Sequence, residues 1–154
     1  MEHIGKSKVY LATSQAFDDE MRTRIDAHKT ARDSDWRLID APMDAATALR
    51  DVAENEVVLL DCATMWLSNQ MLSEAELPTA RADLLRAIAD CPGDVITVSN
   101  EVGFSIVPEN ALARRFRDEQ GALNHRLAAQ SDLAVLVAAG LPLVLKGQLP
   151  DGFA

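Results

Sequence analysis

Polar residues that could bind a ligand or take part in catalysis follow three apolar runs of the sequence. Asp61 comes directly after "VVLL", another run ends in Ala12-Thr13-Ser14, and a third ends in Ser99-Asn100-Glu101. Ligands of parallel α/β sheets bind outside the carboxyl ends of the strands, so these residues are candidates for a site. A carboxylate after four apolar residues is also the Walker B pattern, in which the acid binds Mg²⁺ beside nucleotide phosphates. An acid at this position equally suits a helix cap, so Asp61 alone leaves both interpretations open.

A second candidate, His28, lies in the basic stretch "RTRIDAHKTAR" of an otherwise acidic chain. Met21, Ile25 and His28 are spaced to share one helix face, which is typical of a buried core histidine. The basic residues around it are Arg22, Arg24, Lys29 and Arg32. Such a cluster suits an anion beside a neutral imidazole nucleophile, and it equally suits a face of i, i+4 salt bridges.

The tripeptide Gly5-Lys6-Ser7 has the letters that end a phosphate-binding loop. That loop needs G-x-x-x-x-G-K-[ST] between a strand and a helix. Counting back from Gly5 puts the first glycine before Met1, and the following "KVYLAT" is typical of a strand. The tripeptide is therefore predicted to be a turn before the first strand.

Alternating strands and helices must position these residues. Strands are predicted in "KVYLAT", "EVVLLD", "DVITVS", "LAVLVAA" and "LVLKG". Helices are predicted over about 18–32, 44–53, 64–72, 79–90 and 108–129, with Pro108 in a first turn. The alternation predicts a three-layer α/β fold with a mainly parallel sheet that helices bury on both faces. Thr13, Asp61 and Glu101 should then lie at one edge of the sheet.

Composition limits the function classes. A chain of 154 residues, 48% apolar and 25% charged, is predicted to be one globular domain. It carries 15 Lys and Arg against 24 Asp and Glu, a net charge of −9. That charge repels phosphate backbones and anionic lipids, so the sequence predicts no nucleic-acid binding.

The cysteines and the longest apolar run indicate the cellular compartment and whether the chain spans a membrane. Cys62 and Cys91 are the two cysteines, and no signal peptide is recognisable, which predicts a cytoplasmic protein without disulfides. The run "LAVLVAAGLPLVL" is too short to span a bilayer and is predicted to form two core strands joined by a turn. Neither cysteine has a Cys or His at ligand spacing, so no structural zinc site is expected.

Four stretches of the sequence carry a resemblance to a known family. They are "YLATSQAFDDEMRTRIDAHKTAR" with the following Trp36, "VVLLDCATMWLSNQML", "VSNEVGFSIVPENALARRFRDEQGALNHRLA" and "VLVAAGLPLVLKG". Together they cover most of the chain in the family's order. The chain resembles the bifunctional adenosylcobinamide kinase/adenosylcobinamide-phosphate guanylyltransferases of cobalamin biosynthesis.

The resemblance implies a fold similar to RecA-type P-loop proteins, a homotrimer and two reactions. The first phosphorylates the hydroxyl of adenosylcobinamide. The second transfers GMP to the resulting phosphate through a guanylylated histidine. The implied substrates and partners are GTP or ATP with Mg²⁺, adenosylcobinamide and adenosylcobinamide phosphate.

The resemblance also assigns site residues. His28, within "RIDAHKTAR", matches the histidine of the family's R-I-x-x-H-x-x-x-R pattern, which implies the catalytic nucleophile. The implied nucleotide-binding residues are Ala12, Thr13, Ser14, Lys29, Thr30, Ala31, Arg32, Asp40 and Asp61, with Asp61 also close to the metal. Glu101 either positions metal or water or caps the next helix. Pro108, Glu109, Asn110, Arg114 and Arg117 match the family pattern without an implied role.

One segment departs from the family pattern. Family members begin with a strand, then G-G-x-x-S-G-K-S and a helix, before they reach "YLAT", whereas "MEHIGKSK" resembles the end of that helix. We therefore expect residues 1–154 to be a single nucleotide-binding-type domain, N-terminally incomplete, that lacks the first strand and the P-loop and has impaired activity. The alternative is a non-catalytic, truncated or degenerate family member that acts as a binding or assembly protein. A generic P-loop kinase for another small molecule does not account for His28 and its flanking pattern.

Overall fold

Four parallel strands form the central sheet, in a computed structural model that describes residues 5–150 except 17, 21, 24–26 and 28–34. The strands are β1 (Ser7–Ala12), β2 (Trp36–Asp40), β3 (Glu56–Asp61) and β4 (Asp94–Val98). They are arranged in the order β2-β1-β3-β4, and every neighbouring pair is parallel. The predicted α/β fold with a mainly parallel sheet is confirmed.

Four helices with complete bounds connect and cover the strands. They are α1 (Ala45–Arg50), α2 (Ala63–Leu72), α3 (Leu77–Ala89) and α4 (Ala111–Gln130). Within the predicted helix 18–32, the described residues 19, 20, 22, 23 and 27 are helical. The prediction that Pro108 begins the last helix was wrong. Asn110 caps α4 instead, because its side chain accepts hydrogen bonds from the backbone N–H groups of Leu112 and Ala113.

The core lies between the two central strands and the helices. Val9 and Leu11 of β1 and Val58 and Leu60 of β3 are all fully buried. They pack with apolar side chains of the helices, among them Leu49, Leu67, Leu84 and Leu123. Burying side chains of this size is the main stabilising contribution to such a fold. This packing fixes where β1 and β3 end, and thus where the polar residues after them lie.

Strand β2 was not predicted from the sequence. Its pentapeptide "WRLID" has only a short apolar run, and Arg37 and Leu38 are exposed, as expected of a strand at the edge of a sheet. Parallel pairing with β1 nevertheless places Asp40 in register with Ala12. The strand therefore adds a carboxylate to the same edge of the sheet as Asp61.

The predicted strands near the end of the chain exist, but they are not core strands. β5 (Ala134–Ala138) and β6 (Leu141–Lys146) form a separate antiparallel hairpin, and Leu141, Leu143 and Leu145 are 55–71% exposed. The turn residues Ala139 and Gly140 both have positive φ. Lys146 connects the hairpin to α4, because its Nζ donates to the carbonyls of Ala128 and Ala129 near the end of that helix. In the described part of the chain no helix is long and apolar enough to cross a membrane.

The tripeptide Gly5-Lys6-Ser7 lies at the amino-terminal edge of the sheet, as a turn before β1. Gly5 has a positive φ of 67°, and Ser7 is the first residue of β1. The Nζ of Lys6 is 3.0 Å from a carboxylate oxygen of Asp94 at the start of β4. A strand rather than a helix follows the tripeptide, and Lys6 is at the opposite edge of the sheet from Asp61. The prediction that these residues are not a phosphate-binding loop is confirmed.

Candidate active site

Three residues that the sequence singled out lie side by side at the carboxyl edge of the sheet. Ala12 of β1 is in register with Asp40 of β2 on one side and with Asp61 of β3 on the other. Residues in register on neighbouring strands point to the same face of a sheet. The carboxylates of Asp40 and Asp61 therefore emerge on one face, separated by the small side chain of Ala12. This is the position at which parallel α/β sheets bind ligands.

Asp61 is held by a tyrosine that sequence reasoning missed. The hydroxyl of Tyr10 donates a hydrogen bond to Oδ2 of Asp61. The Tyr10 ring is buried and meets the Trp36 ring edge-on, with centroids 5.9 Å apart and planes at 79°. The Asp61 side chain is thus bonded to the Tyr10–Trp36 aromatic pair, while its backbone ends β3.

The capping interpretation of Asp61 is wrong. Cys62 is the N-cap of α2, and its Sγ accepts a hydrogen bond of 3.4 Å from the backbone N–H of Met65. Burial raises the pKa of the Cys62 thiol, so the group stays neutral and is unsuited to act as a nucleophile. Because Cys62 fills the cap, the carboxylate of Asp61 is not needed for it.

Thr13 acts on the backbone next to Asp61. Its hydroxyl donates to the carbonyl of Cys62 at 2.7 Å and accepts from the N–H of Cys62 at 2.8 Å. Its own carbonyl accepts from Nδ2 of Asn69 at 2.8 Å, and the same amide also donates to Pro42. Thr13 and Asn69 are almost fully buried. The ends of β1, β2 and β3 are therefore tied together by two buried polar side chains, while Ser14 follows as a half-buried residue.

The segment after β4 is fixed in a similar way. The hydroxyl of Thr64 on α2 accepts from the N–H of Asn100 at 2.8 Å, and Asn124 on α4 donates to the Asn100 carbonyl at 3.0 Å. Ser99 donates to Asn124 at 2.6 Å and accepts from the fully buried Gln120 at 2.9 Å. Helices α2 and α4 thus hold the backbone that leads to Glu101.

Glu101 is not a helix cap either. Its Oε1 accepts from the N–H of Gly103 at 2.7 Å, and Arg117 donates to the Gly103 carbonyl at 2.7 Å. A Cβ on residue 103 would lie 2.8 Å from Oε1 of Glu101, so a larger residue there would displace the Glu101 carboxylate from this position. Glu101 lies three residues past the end of β4, at the same edge as Thr13 and Asp61. The predicted grouping of these three residues is therefore confirmed.

The remaining predicted site residues lie outside the described part of the chain. They are His28, Lys29, Thr30, Ala31 and Arg32. Of the residues that bind or position others at this edge, sequence reasoning missed Tyr10, Asn69, Gln120 and Asn124. A usable signal existed for Gln120 and Asn124, which are spaced i, i+4, whereas Asn69 lies among other polar residues of α2 and had none. The function of Tyr10 has no sequence signal, because tyrosine is a common strand residue.

A parallel α/β sheet with carboxylates at the carboxyl ends of two strands that flank a third is typical of α/β proteins that bind ligands such as nucleotides at this edge. Comparison with known proteins is more specific. Residues 1–145 match the cobinamide kinase / cobinamide phosphate guanyltransferase family. The bifunctional adenosylcobalamin biosynthesis protein CobP of Pseudomonas aeruginosa is 40% identical over 147 residues, which cover 94% of this chain and 85% of that protein.

Two further relatives agree. The bifunctional adenosylcobalamin biosynthesis protein CobU of Salmonella typhimurium is 38% identical, over 90% of this chain and 85% of the relative. The protein of the same name from Escherichia coli is 36% identical, over 93% of this chain and 89% of the relative. The chain belongs to the cobinamide kinase / cobinamide phosphate guanyltransferase family, whose members are nucleotide-binding transferases of cobalamin biosynthesis.

Proposed function

We propose that the protein phosphorylates adenosylcobinamide and then transfers GMP from GTP to adenosylcobinamide phosphate through a guanylylated His28. The observation that carries the proposal is the shared register of Asp40, Ala12 and Asp61, which groups two carboxylates at the carboxyl edge of the sheet. Membership of the family supports the pair of reactions. The match of "RIDAHKTAR" to the family's histidine pattern supports His28 as the nucleophile.

The histidine step balances as a double displacement. A neutral imidazole nitrogen of His28 attacks the α-phosphorus of GTP, the bond from that phosphorus to the bridging oxygen breaks, and pyrophosphate leaves with its electron pair. A phosphate oxygen of adenosylcobinamide phosphate then attacks the same phosphorus, and the imidazole is the leaving group. Lys29 and Arg32, one and four residues after His28, stabilise the negative charge of the phosphates.

The residues at the carboxyl edge fit Mg²⁺ that arrives with a nucleotide. Among the described residues no group of three or more His, Cys, Asp or Glu is placed to hold a metal ion. Nucleotide-bound Mg²⁺ needs only one or two carboxylates, since phosphates and water supply the other ligands. Asp61 is the carboxylate proposed to hold it. When bound, Mg²⁺ neutralises charge on the departing pyrophosphate.

The other carboxyl-edge residues are proposed to contact or shape the nucleotide site. Asp40 is exposed and borders an open groove of about 390 Å³ with Asp44 and Asp51. Carboxylates repel phosphate, so we assign Asp40 to the hydroxyl or amine donors of the nucleotide. Ala12 leaves room between the carboxylates and Ser14 is open to a ligand, whereas the hydroxyl of Thr13 acts through the Cys62 backbone. Thr30 and Ala31 are proposed to contact the nucleotide as part of the segment that follows His28.

We further propose that the 154-residue chain transfers GMP slowly. Its sequence contains no G-G-x-x-S-G-K-S segment, which supplies the backbone donors for the β- and γ-phosphates. The prediction that the first strand and P-loop are missing from a single domain stays a prediction. The second candidate function, a non-catalytic binding or assembly protein, likewise stays a prediction.

Assembly and location complete the proposal. We propose a homotrimer, supported by strongly exposed apolar side chains in the segment before α4 and in the hairpin, such as Phe104 at 82% and Ile106 at 93%. Light scattering at micromolar concentration should give three times the mass of one chain. A cytoplasmic location is proposed from the sequence, which has two cysteines, both free thiols.

Labelling with α-³²P GTP and Mg²⁺ tests the central proposal. The wild-type chain should acquire an acid-labile, alkali-stable label, and His28→Ala should acquire none. His125→Ala is the matched control, because His125 is an exposed histidine on α4 that lies outside the family's histidine pattern. The labelling rate should be roughly a hundredfold or more below that of the P. aeruginosa relative, because hydrogen-bond donors oriented toward the phosphates usually accelerate such a reaction by at least this factor.

The outcomes of this assay test the role of His28, the choice between the two candidate functions and the proposed impairment separately. Label that survives in His28→Ala removes this histidine from the reaction. No label on the wild-type chain after extended incubation supports the binding or assembly protein. A rate equal to that of the relative would contradict the proposed impairment.

A further inference from the structure

We propose that Tyr10 is a positioning residue for the nucleotide site. Its hydroxyl sets the orientation of the Asp61 carboxylate, so that Oδ2 is held by the protein and Oδ1 is presented to the Mg²⁺–nucleotide. The inference rests on the proposed function of Asp61 and deepens it. It assigns a role to the single tyrosine of the chain, which begins the first stretch that carries the family resemblance and had no role assigned there.

The backbone places Tyr10 where its hydroxyl can reach the end of the neighbouring strand. Tyr10 is in register with Leu59, two residues before Asp61 on β3. Since side chains two apart on a strand share a face, Tyr10 and Asp61 lie on the same face of the sheet. The ring extends toward the carboxyl edge and its hydroxyl donates to Oδ2 of Asp61.

The ring has little freedom to move. Tyr10 is 8% exposed and packs against Trp36 in a T-shaped arrangement, with a distance of 5.9 Å between the ring centroids. The Nζ of Lys8 lies over the Trp36 ring, 5.7 Å from its centroid, which adds a cation–π contact to the pair. A hydroxyl carried by a ring packed in this way is a fixed donor rather than one of several rotamers.

Asp61 has one oxygen held and one available. Oδ2 accepts from Tyr10, and within the part of the chain that the structure describes Oδ1 has no hydrogen-bond partner. The adjacent cap position is filled by Cys62, so no helix N–H competes for the carboxylate. The side chain is half-buried at the end of a buried strand. These contacts leave Oδ1 as the oxygen of Asp61 that is open to a ligand.

Removing the hydroxyl should make metal binding weaker without changing the ligand itself. A hydrogen bond to a charged acceptor holds the carboxylate in one rotamer before the metal arrives. Without it, binding must also order the side chain. The loss of one such bond corresponds to about a tenfold weaker affinity.

Binding of Mn²⁺ in the presence of GTP measures this effect independently of turnover. Electron paramagnetic resonance of free Mn²⁺ gives the affinity of wild type, Tyr10→Phe, Asp61→Asn and the double variant. Tyr10→Phe should weaken Mn²⁺ binding about tenfold, Asp61→Asn should weaken it more, and Tyr10→Phe should add nothing further in the Asp61→Asn background. Trp36→Phe is the matched control, because it changes the same aromatic pair and keeps the hydroxyl.

The outcomes separate this inference from the proposed function. Equal Mn²⁺ affinities of wild type and Asp61→Asn would overturn the assignment of Asp61 to the metal, and the role of Tyr10 with it. A weakened Asp61→Asn with an unchanged Tyr10→Phe would overturn the role of Tyr10 alone. An equal loss in Trp36→Phe and Tyr10→Phe would assign the effect to ring packing and would also overturn it. Circular dichroism of each variant verifies that all four chains are folded.

Discussion

The two edges of the central sheet are held together by different interactions. At the carboxyl edge, buried side chains bond to backbone groups: Thr13 to Cys62, Asn69 to Thr13 and Pro42. At the amino edge, ion pairs open to solvent do this work, such as Lys6 with Asp94, whose side chains are 31% and 54% exposed. Buried polar groups lose much when a partner is removed, whereas exposed ion pairs contribute little.

This difference explains where a site can form. A buried hydrogen bond fixes the backbone to which a functional side chain is attached, so Asp61 and Glu101 follow segments that do not depend on solvent. An exposed ion pair fixes no such backbone. The Gly5-Lys6-Ser7 turn therefore has the letters of a phosphate-binding loop but lies at the edge that is built for stability rather than for binding.

The largest effect should come from Thr13→Val. The change keeps the shape of the side chain and removes both bonds to Cys62, so the buried N–H of Cys62 loses its partner, whereas the Cys62 carbonyl keeps the hydrogen bond from the N–H of Trp66. We expect the free energy of unfolding to fall by roughly 1.5 to 4.5 kcal/mol, with about 1–3 kcal/mol from the unpaired N–H and about 0.5–1.5 kcal/mol from the lost bond to the carbonyl. Urea unfolding measures the loss.

Two variants serve as controls for Thr13→Val. Thr13→Ser retains the hydroxyl and should lose less than half as much stability. Lys6→Ala, at the opposite edge, should change stability by no more than about 0.5 kcal/mol. Equal losses in Thr13→Val and Lys6→Ala would contradict the contrast between the edges.

An intermediate effect is expected from Asn124→Ala. Asn124 donates to the Asn100 carbonyl and accepts from Ser99 and Gln120, at one side of the segment that leads to Glu101. Because Asn124 is only partly buried, water replaces some of these bonds, and we expect a loss of about 1–2 kcal/mol in urea unfolding. Arg126→Ala, an exposed neighbour on α4, should leave the midpoint unchanged. An unchanged free energy of unfolding in Asn124→Ala would show that the segment after β4 is held in place without this side chain.

The smallest effect should be the pH dependence of an ion pair at the amino edge. Arg37 donates two hydrogen bonds to Glu56, at 3.0 and 2.7 Å, and lowers the pKa of this carboxyl below its ordinary value of 4.5. A carboxyl with a lowered pKa stabilises the fold above its ordinary value, and this contribution is lost as the pH falls through the lowered one. Because Arg37 is 44% exposed and screened by solvent, the contribution should stay below about 1 kcal/mol.

Glu56→Gln tests this sign. The stability advantage of wild type over the variant should be constant near neutral pH and shrink as the pH falls from about 5 toward 3. Thermal unfolding in a series of buffers gives the difference at each pH. An advantage that grows on acidification would show that burial, which raises the pKa of Glu56, outweighs the hydrogen bonds from Arg37.

The sequence allowed the strand ends to be predicted because apolar runs define β1, β3 and β4 clearly. Asp61 and Glu101 could be placed at one edge for that reason. The position of Asp40 beside them depends on β2, which has few apolar residues and is specified by pairing with β1 rather than by its own pattern. Local sequence carries no record of such pairing.

The residues that hold the site in place, such as Tyr10 and Thr13, could not be predicted for a related reason. The contact of Tyr10 with Asp61 joins residues 51 positions apart, and that of Thr13 with Cys62 joins residues 49 apart. Sequence periodicity reports which face of an element is apolar, but it does not say which polar atom of another element will be near. The hairpin was predicted to be buried because its composition resembles that of β3, whereas burial depends on what packs against it.

The exposed hairpin has a consequence for solubility. Two short strands with open edges and apolar side chains offer a template to which the same segment of other molecules can add, the first step of a cross-β stack. Pro142, paired with Val137 in β6, has no N–H to donate, and strands that contain proline do not extend into continuous ladders. The positive charge of Lys146 at the end of β6 adds repulsion between stacked copies. The hairpin therefore carries its own gatekeepers against fibril formation.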